Sequence, residues 1–358
     1  MTLVEERPTP TDTPASLTAN RLTRPQHAMV MAGAVVLGLL SWVPQGSPNW
    51  ARWISVSLIA YCVGVYVVAR AVEGRRKAFD RLMLALVTSA FVLVSLPLVS
   101  LVWTVIERGL LRFDTEFFTS TMRGVVGEGG GGYHAIVGTL IVTGLATLMS
   151  VPFGLFTAIY LAEYGHGTRL ARMIQSMVDV MTGIPSIVAG LFAYAMFELM
   201  FGPGTRSGIS GAVALTVLMT PVVVRSSEEM LRLVPNELRE AAYALGVPKW
   251  KTIVKVVLPT AVAGLITGIV LAIARVIGET APLLLTAGLA QGVNWNPFDG
   301  RMTTLPVFTY YQYVQPGIPP EAGQDRAWTA ALVLIIIVLV LFTLARILSS
   351  ALKPKGLR

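Results

Sequence analysis

An arginine and a glutamate stand four residues apart inside an otherwise apolar run, "LAIARVIGETAPLLL" at 271–285. If that run is one helix, Arg275 and Glu279 share a face. Charges at membrane depth usually face a cavity or a partner. A helix opening at Pro259 puts Arg275 about 24 Å along its axis, and Glu279 about one turn further. The guanidinium stays charged at any physiological pH and presents a planar fork of donors, so one reading is an anion ligand. The other is structural, with Glu279 neutralising Arg275 to lower its burial cost. Spacing leaves both open.

A second candidate is "TGIPSI" at 182–187, where glycine and proline interrupt an apolar helix. Such breaks expose backbone groups to a cavity, and the following half-helix aims its N-terminus at an anion. Ser186 adds a hydroxyl donor there. The alternative is a kink required for packing. Asp179 precedes the break and reads either as a site carboxylate or as an interfacial packing one.

Other chemistry is missing. "GVVGEGGGGYHA" at 124–135 lacks the Gly-Lys-Ser/Thr ending of a phosphate loop and reads as a flexible connection. His27, His134 and His166 fall in separate loops, without zinc-motif spacing. No nucleophile–base constellation appears. The chain therefore reads as a non-enzyme by itself, with no metal and no cofactor of its own.

The elements that must position these residues are membrane helices. Of 358 residues, 54% are hydrophobic and 13% charged, against about 25% charged in soluble domains. Mean hydropathy is +0.66. Eight apolar runs, near 28–43, 54–72, 81–106, 135–162, 173–197, 208–225, 259–285 and 327–348, approach the length that crosses roughly 30 Å of hydrocarbon. The fold class is an all-α membrane protein, because helices satisfy the backbone inside lipid. Residues 1–27 read as a disordered tail, and Glu5 and Glu6 exclude a signal peptide. Lone Cys62 excludes an internal disulfide.

Basic residues set the orientation. With both termini cytoplasmic, the inner segments hold 20 Lys and Arg and the outer ones 7, Arg275 lying between. That bias accounts for the pI of 9.8 without nucleic acid. An outer stretch, 286–326, with Trp295, Tyr310, Tyr311, Tyr313 and the adjoining Trp328, reads as an interfacial aromatic belt or as a docking surface for an external protein.

The inner stretch 226–258 is more specific. Leu238, Ala241, Ala242 and Leu245 fall on one helical face. Gly246 stands where a left-handed cap would close that helix, and Pro248 can open the next, amphipathic one with Trp250, Ile253, Val254 and Val257. Shape alone allows a helix resting on lipid headgroups. The residue order adds more. Glu240-Ala241-Ala242, three residues, Gly246, nine residues, Val256, one residue, Leu258-Pro259 resembles the EAA loop of ABC import permeases, with valine in place of the usual isoleucine. The resemblance implies that Glu240, Ala241, Ala242 and Gly246 couple to a separate ATP-hydrolysing subunit. It covers about 81–349, a six-helix permease core of the type I importers with the loop at 226–258. The helix pair at 28–80 is extra, and 350–358 is a cytoplasmic tail.

"SVPFGLFTAIYLAEY" (150–164), "GIPSIVAGLFAY" (183–194) and "ARVIGETAPLLLTA" (274–287) are similar to the phosphate-specific permeases. Thr-Ala-Pro after Gly278-Glu279, followed by "TLPVFTY" (304–310), resembles the PstA group; the PstC group usually has Thr-Met-Ala. Phosphate is a tetrahedral oxyanion, part monoanion and part dianion near neutrality, and Glu279 could favour a protonated oxygen. The resemblance implies a PstC-like permease partner, two PstB-like ATPases holding ATP and Mg, an extracytoplasmic phosphate-binding protein, and a bacterial or archaeal plasma membrane. Arg275, Glu279 and Ser186 are then the candidates for the substrate path. Rival readings are a permease for sulfate or molybdate, a secondary transporter or channel, which should carry inverted repeats, and a scaffold in phosphate signalling.

Overall fold

The computed structural model describes residues 22–41 and 50–351, and these contain helices and no strands. Residues 1–21 and 352–358, where most of the two expected tails lie, fall outside the described residues. The chain forms two compact units, Met1–Val102 and Trp103–Arg358, which divide inside one long helix.

The first unit holds α1 (Arg24–Leu40), α2 (Trp50–Val72) and most of α3 (Arg75–Gly109). α1 and α2 pack closely because Gly38 has no side chain: a Cβ there would lie 2.0 Å from Ser57 Oγ. α2 meets α3 through Cys62, Val65 and Ala85. At the start of α3, Arg81 bonds the Glu73 carboxylate at 3.1 Å.

The second unit continues with α4 (Thr115–Thr119) and α5 (Tyr133–Ile159), which ends in a π-helical turn over Tyr160–Tyr164. Then come α6 (Arg169–Thr182), α7 (Ser186–Phe201), α8 (Gly208–Arg232), α9 (Asn236–Ala244) and α10 (Lys249–Thr252). A second π-helical turn, Ile253–Val257, leads into α11 (Leu258–Val276), followed by α12 (Ala281–Thr286), α13 (Leu305–Val314) and α14 (Pro320–Ala351). α8 is the axis of the unit. Ala212, Leu215, Met219 and Val223 pack with Val142 and Ala146 of α5, Ala272 and Val276 of α11, and Leu283 of α12. Small residues allow that approach: a Cβ on Gly154 would sit 2.7 Å from Val223, and one on Gly268 2.8 Å from Ser226.

Among the described residues six helices are long and apolar enough to cross a membrane, with a seventh crossing only if α6 and α7 count together. The expected count of eight is not confirmed among them. α1 has 17 residues, about 26 Å, short of the roughly 30 Å hydrocarbon core. The expected run 173–197 is two helices bent by 105°, because Pro185, which cannot donate a backbone hydrogen bond, caps α7 instead of continuing α6. The expected run 259–285 is displaced. Helix extends from Lys249 to Val276, since the wide turn over Ile253–Val257 carries the chain past Pro259, which has no N–H for Lys255. It stops before Pro282, which sits in the first turn of α12.

The glycine-rich stretch is also unlike its expectation as a flexible connection. Arg326, buried in α14, donates to Gly127 O and Gly129 O at 2.9 and 2.8 Å, and Arg112 donates to Gly130 O at 3.0 Å. Four of its glycines have positive φ, so they serve turn geometry.

Candidate functional site

The inner stretch and the two helix breaks form two groups of residues. In the first, α9 closes with a Schellman arrangement: Val247 N donates to Ala242 O at 3.1 Å and Gly246 N to Tyr243 O at 2.9 Å. Gly246 has φ +74, with open space where a Cβ would stand. The left-handed cap expected from the sequence is present. Ala242 is buried, whereas Glu240, Ala241 and Leu238 are exposed and Leu245 is 84% exposed. The face that carries the EAA pattern is thus open to a partner rather than packed within the chain.

What holds α9 in place is a side chain the sequence reading did not single out. Arg239 donates to the Glu163 carboxylate through Nε and a terminal nitrogen, at 3.1 and 2.7 Å. It also donates to Leu231 O at 2.9 Å and to Val234 O, crossing the turn between α8 and α9. Glu163 belongs to the π-helical end of α5 and is 4% exposed, Arg239 13%. Lys249, which opens α10, donates to the backbone O of Glu163 and lies 4.7 Å from the Tyr164 ring centroid. One residue of α5 therefore receives both arms of the inner loop. The resulting cavity, about 340 Å³, is lined by Glu163, His166, Arg232, Arg239 and Lys249 among others. A signal existed: Glu163 is the one carboxylate in the apolar run 133–164, and the inner stretch carries the basic residues to meet it.

A polar ladder between α6 and α8 continues this group. Arg225 bonds Asp179 at 2.6 Å, and buried Glu228 accepts from Gln175 at 3.1 Å and from Arg232. Asp179 thus takes the packing role.

The second group contains the substrate-path candidates. Arg275 is in the last turn of α11, where a cation suits the negative end of the helix dipole. Glu279 follows in the break, its N–H donating to Val276 O at 3.1 Å. The two do not share a helix face, and among the described residues no ion pair joins them. Arg275 is exposed and has no hydrogen-bond partner there either. Ser186 is the first residue of α7 and half-buried. Gly190, one turn later, packs on Pro282, three residues after Glu279; a Cβ on Gly190 would lie 2.6 Å from Pro282 Cα. The two broken segments are thereby packed together, although none of the three side chains bonds another. Among the described residues no three His, Cys, Asp or Glu side chains are grouped to hold a metal.

Comparison with known proteins gives consistent results. The family described as binding-protein-dependent transport system inner membrane component matches residues 150–356. The phosphate transport system permease protein PstA 1 of Mycobacterium tuberculosis strain ATCC 25618 / H37Rv is 47% identical over 275 residues, 76% of this chain and 88% of that protein. PstA of Pasteurella multocida strain Pm70 is 39% identical over 275 residues, 76% and 95% of the two. Among solved structures, an inward-facing MetNI methionine ABC transporter chain superposes with a TM-score of 0.51 at 21% identity, covering 62% of this chain and 95% of that one. That last likeness concerns the fold.

Proposed function

The chain belongs to the binding-protein-dependent transport permeases, and among them to the PstA phosphate transport permeases; on that premise we propose that it is the membrane-spanning subunit of an ATP-driven importer of inorganic phosphate. It works beside a second permease, an ATPase and a substrate-binding protein, here PstC-like, two copies PstB-like, and an extracytoplasmic phosphate-binding protein. ATP and Mg belong to the ATPase, and this chain catalyses no reaction itself. Both termini lie in the cytoplasm of a bacterial or archaeal cell, with α9 on the ATP side.

The observation that carries this reading is α9. Its Glu240 and Ala241 face outward, its end is set by Gly246, and Glu163 fixes its base to α5 through Arg239. Closure of the ATPases against α9 would therefore move α5, which packs on α8 and through it on α11. Displacing α11 moves Arg275 and the break that holds Glu279. In that path Arg275 supplies a permanent positive charge without a competing carboxylate bonded to it, and the N-terminus of α7 with Ser186 supplies further donors.

The test is phosphate uptake by the assembled complex in proteoliposomes. ATP supplied to the α9 face should drive uptake that sulfate and molybdate do not compete away. Uptake without ATP, or equal competition by sulfate, would overturn the assignment.

A further inference from the structure

The first unit carries a site that transport does not account for. Three cavities line up along α1, α2 and α3 and share walls. The first, about 440 Å³, is polar and lies where α1 and α3 begin; Arg24, His27, Tyr61, Arg81 and Thr88 line it. Tyr61 and Thr88 also line a second, apolar cavity of about 210 Å³. Leu58 and Ser89 likewise line both that one and a third of about 630 Å³, an open apolar groove between α2 and α3 that reaches Leu93. From Arg81 to Leu93 is about 18 Å of helix, close to the hydrocarbon depth of one leaflet, roughly 15 Å.

The polar end is positive. Arg24 has no ion pair or hydrogen bond among the described residues. It stands in the first turn of α1, where free N–H groups add the positive end of the helix dipole. Arg81 is partly neutralised by Glu73, and the Arg81 hydrogen bond holds that carboxyl below its ordinary range. Residues 70–81 nonetheless carry five Lys and Arg against two carboxylates. His27 Nε2 and Tyr61 OH, 3.0 Å apart, complete a polar lining. A charged head above a long apolar groove matches one class of molecule, and basic pockets between membrane helices recognise it.

We propose that the α1–α2–α3 unit binds one anionic phospholipid, its phosphate held at Arg24, His27 and Arg81 and an acyl chain laid in the groove between α2 and α3. The head selects for negative charge, and the shared walls at Thr88 and Ser89 set the apolar groove beside it. The lipid comes from the leaflet on the basic side, and the site is independent of the residues that carry phosphate through the permease.

The experiment measures lipid retained by the purified, assembled complex, using native mass spectrometry with phosphatidylglycerol or phosphatidylcholine added. Phosphatidylglycerol should remain at one molecule per copy of this chain, and phosphatidylcholine should be retained less. Arg24→Gln should weaken retention roughly fivefold, the scale of one basic contact with an anionic lipid. Ala90→Trp, which fills the groove without touching the head, should weaken it independently; Leu86→Trp serves if that variant does not assemble. Equal retention of the two lipids, or no effect of either variant, would overturn the proposal. So would displacement of the lipid by millimolar inorganic phosphate, which would make the polar end a free-anion site. Retention by the isolated chain but not by the complex would assign the groove to a partner helix instead.

Discussion

Arg275 is the residue on which the transport reading turns. Because no carboxylate is bonded to it, its removal strands no buried partner, and the consequences of substitution should fall on transport rather than on assembly. Arg275→Gln should leave the complex assembled and reduce phosphate uptake per complex by about tenfold to a hundredfold, the range of a lost charged hydrogen bond of 1.5–3 kcal/mol. Arg275→Lys should fall between, retaining charge but losing the planar fork. Near-normal uptake in the double variant Arg275→Gln with Glu279→Gln would show that the pair, and not the arginine, matters. Gly246 tests the other group. Its φ of +74 costs a side chain about 1–2 kcal/mol, and more for a β-branched one. Gly246→Val should therefore distort the end of α9 and weaken ATPase association or uncouple its hydrolysis from transport, whereas Gly246→Ala should do so mildly. Pull-down and phosphate-stimulated ATP hydrolysis measure both, and normal values for valine would remove α9 from the coupling path.

Among elements, the joint between α5 and α9 makes the sharpest prediction. The carboxylate of Glu163 is nearly inaccessible, and Arg239 is the cation bonded to it. Arg239→Gln should destabilise the complex by about 3–5 kcal/mol, the cost of leaving one buried charge unpaired, seen as a lower unfolding temperature of the assembled protein. Glu163→Gln combined with Arg239→Gln should recover most of that stability. If the joint transmits movement, the recovered double variant should still hydrolyse ATP poorly coupled to uptake. Unchanged stability in Arg239→Gln would mean that the pair is held open in the complex.

For the whole molecule, the prediction is orientation. In a Cys62→Ala background, single cysteines at His166 and Lys251, both exposed, should react with membrane-impermeant thiol reagents only from the cytoplasmic side. Val126→Cys, at a position 93% exposed beyond α4, should react only from outside. The opposite pattern would place α9 where there is no ATP. Arg225 joins α8 to α6, and Arg239 and Lys249 join α9 and α10 to the end of α5, so these basic residues serve packing.

Composition and short motifs were enough to determine that this is a helical membrane protein, where most of its spans run, and that α9 ends at a left-handed glycine. These are local properties: apolar length, backbone conformation and residue order act within one segment, so one segment records them. The family was legible for the same reason, through the spacing from Glu240 to Pro259 and the stretches at 150–164, 183–194 and 274–287. Only the tertiary structure decided which elements stop and which partners meet. A proline signals that a helix is perturbed but not whether it is crossed, as at Pro259, or ends the helix, as before Pro185 and Pro282. That depends on whether neighbouring turns can widen and what packs beside them. Four-residue spacing suggested a pair for Arg275 and Glu279, and the break after Val276 removed it. Glu163 and Arg239 are 76 residues apart, and no local pattern links them; their bond exists because α5 and the inner loop are brought together by the packing of α8.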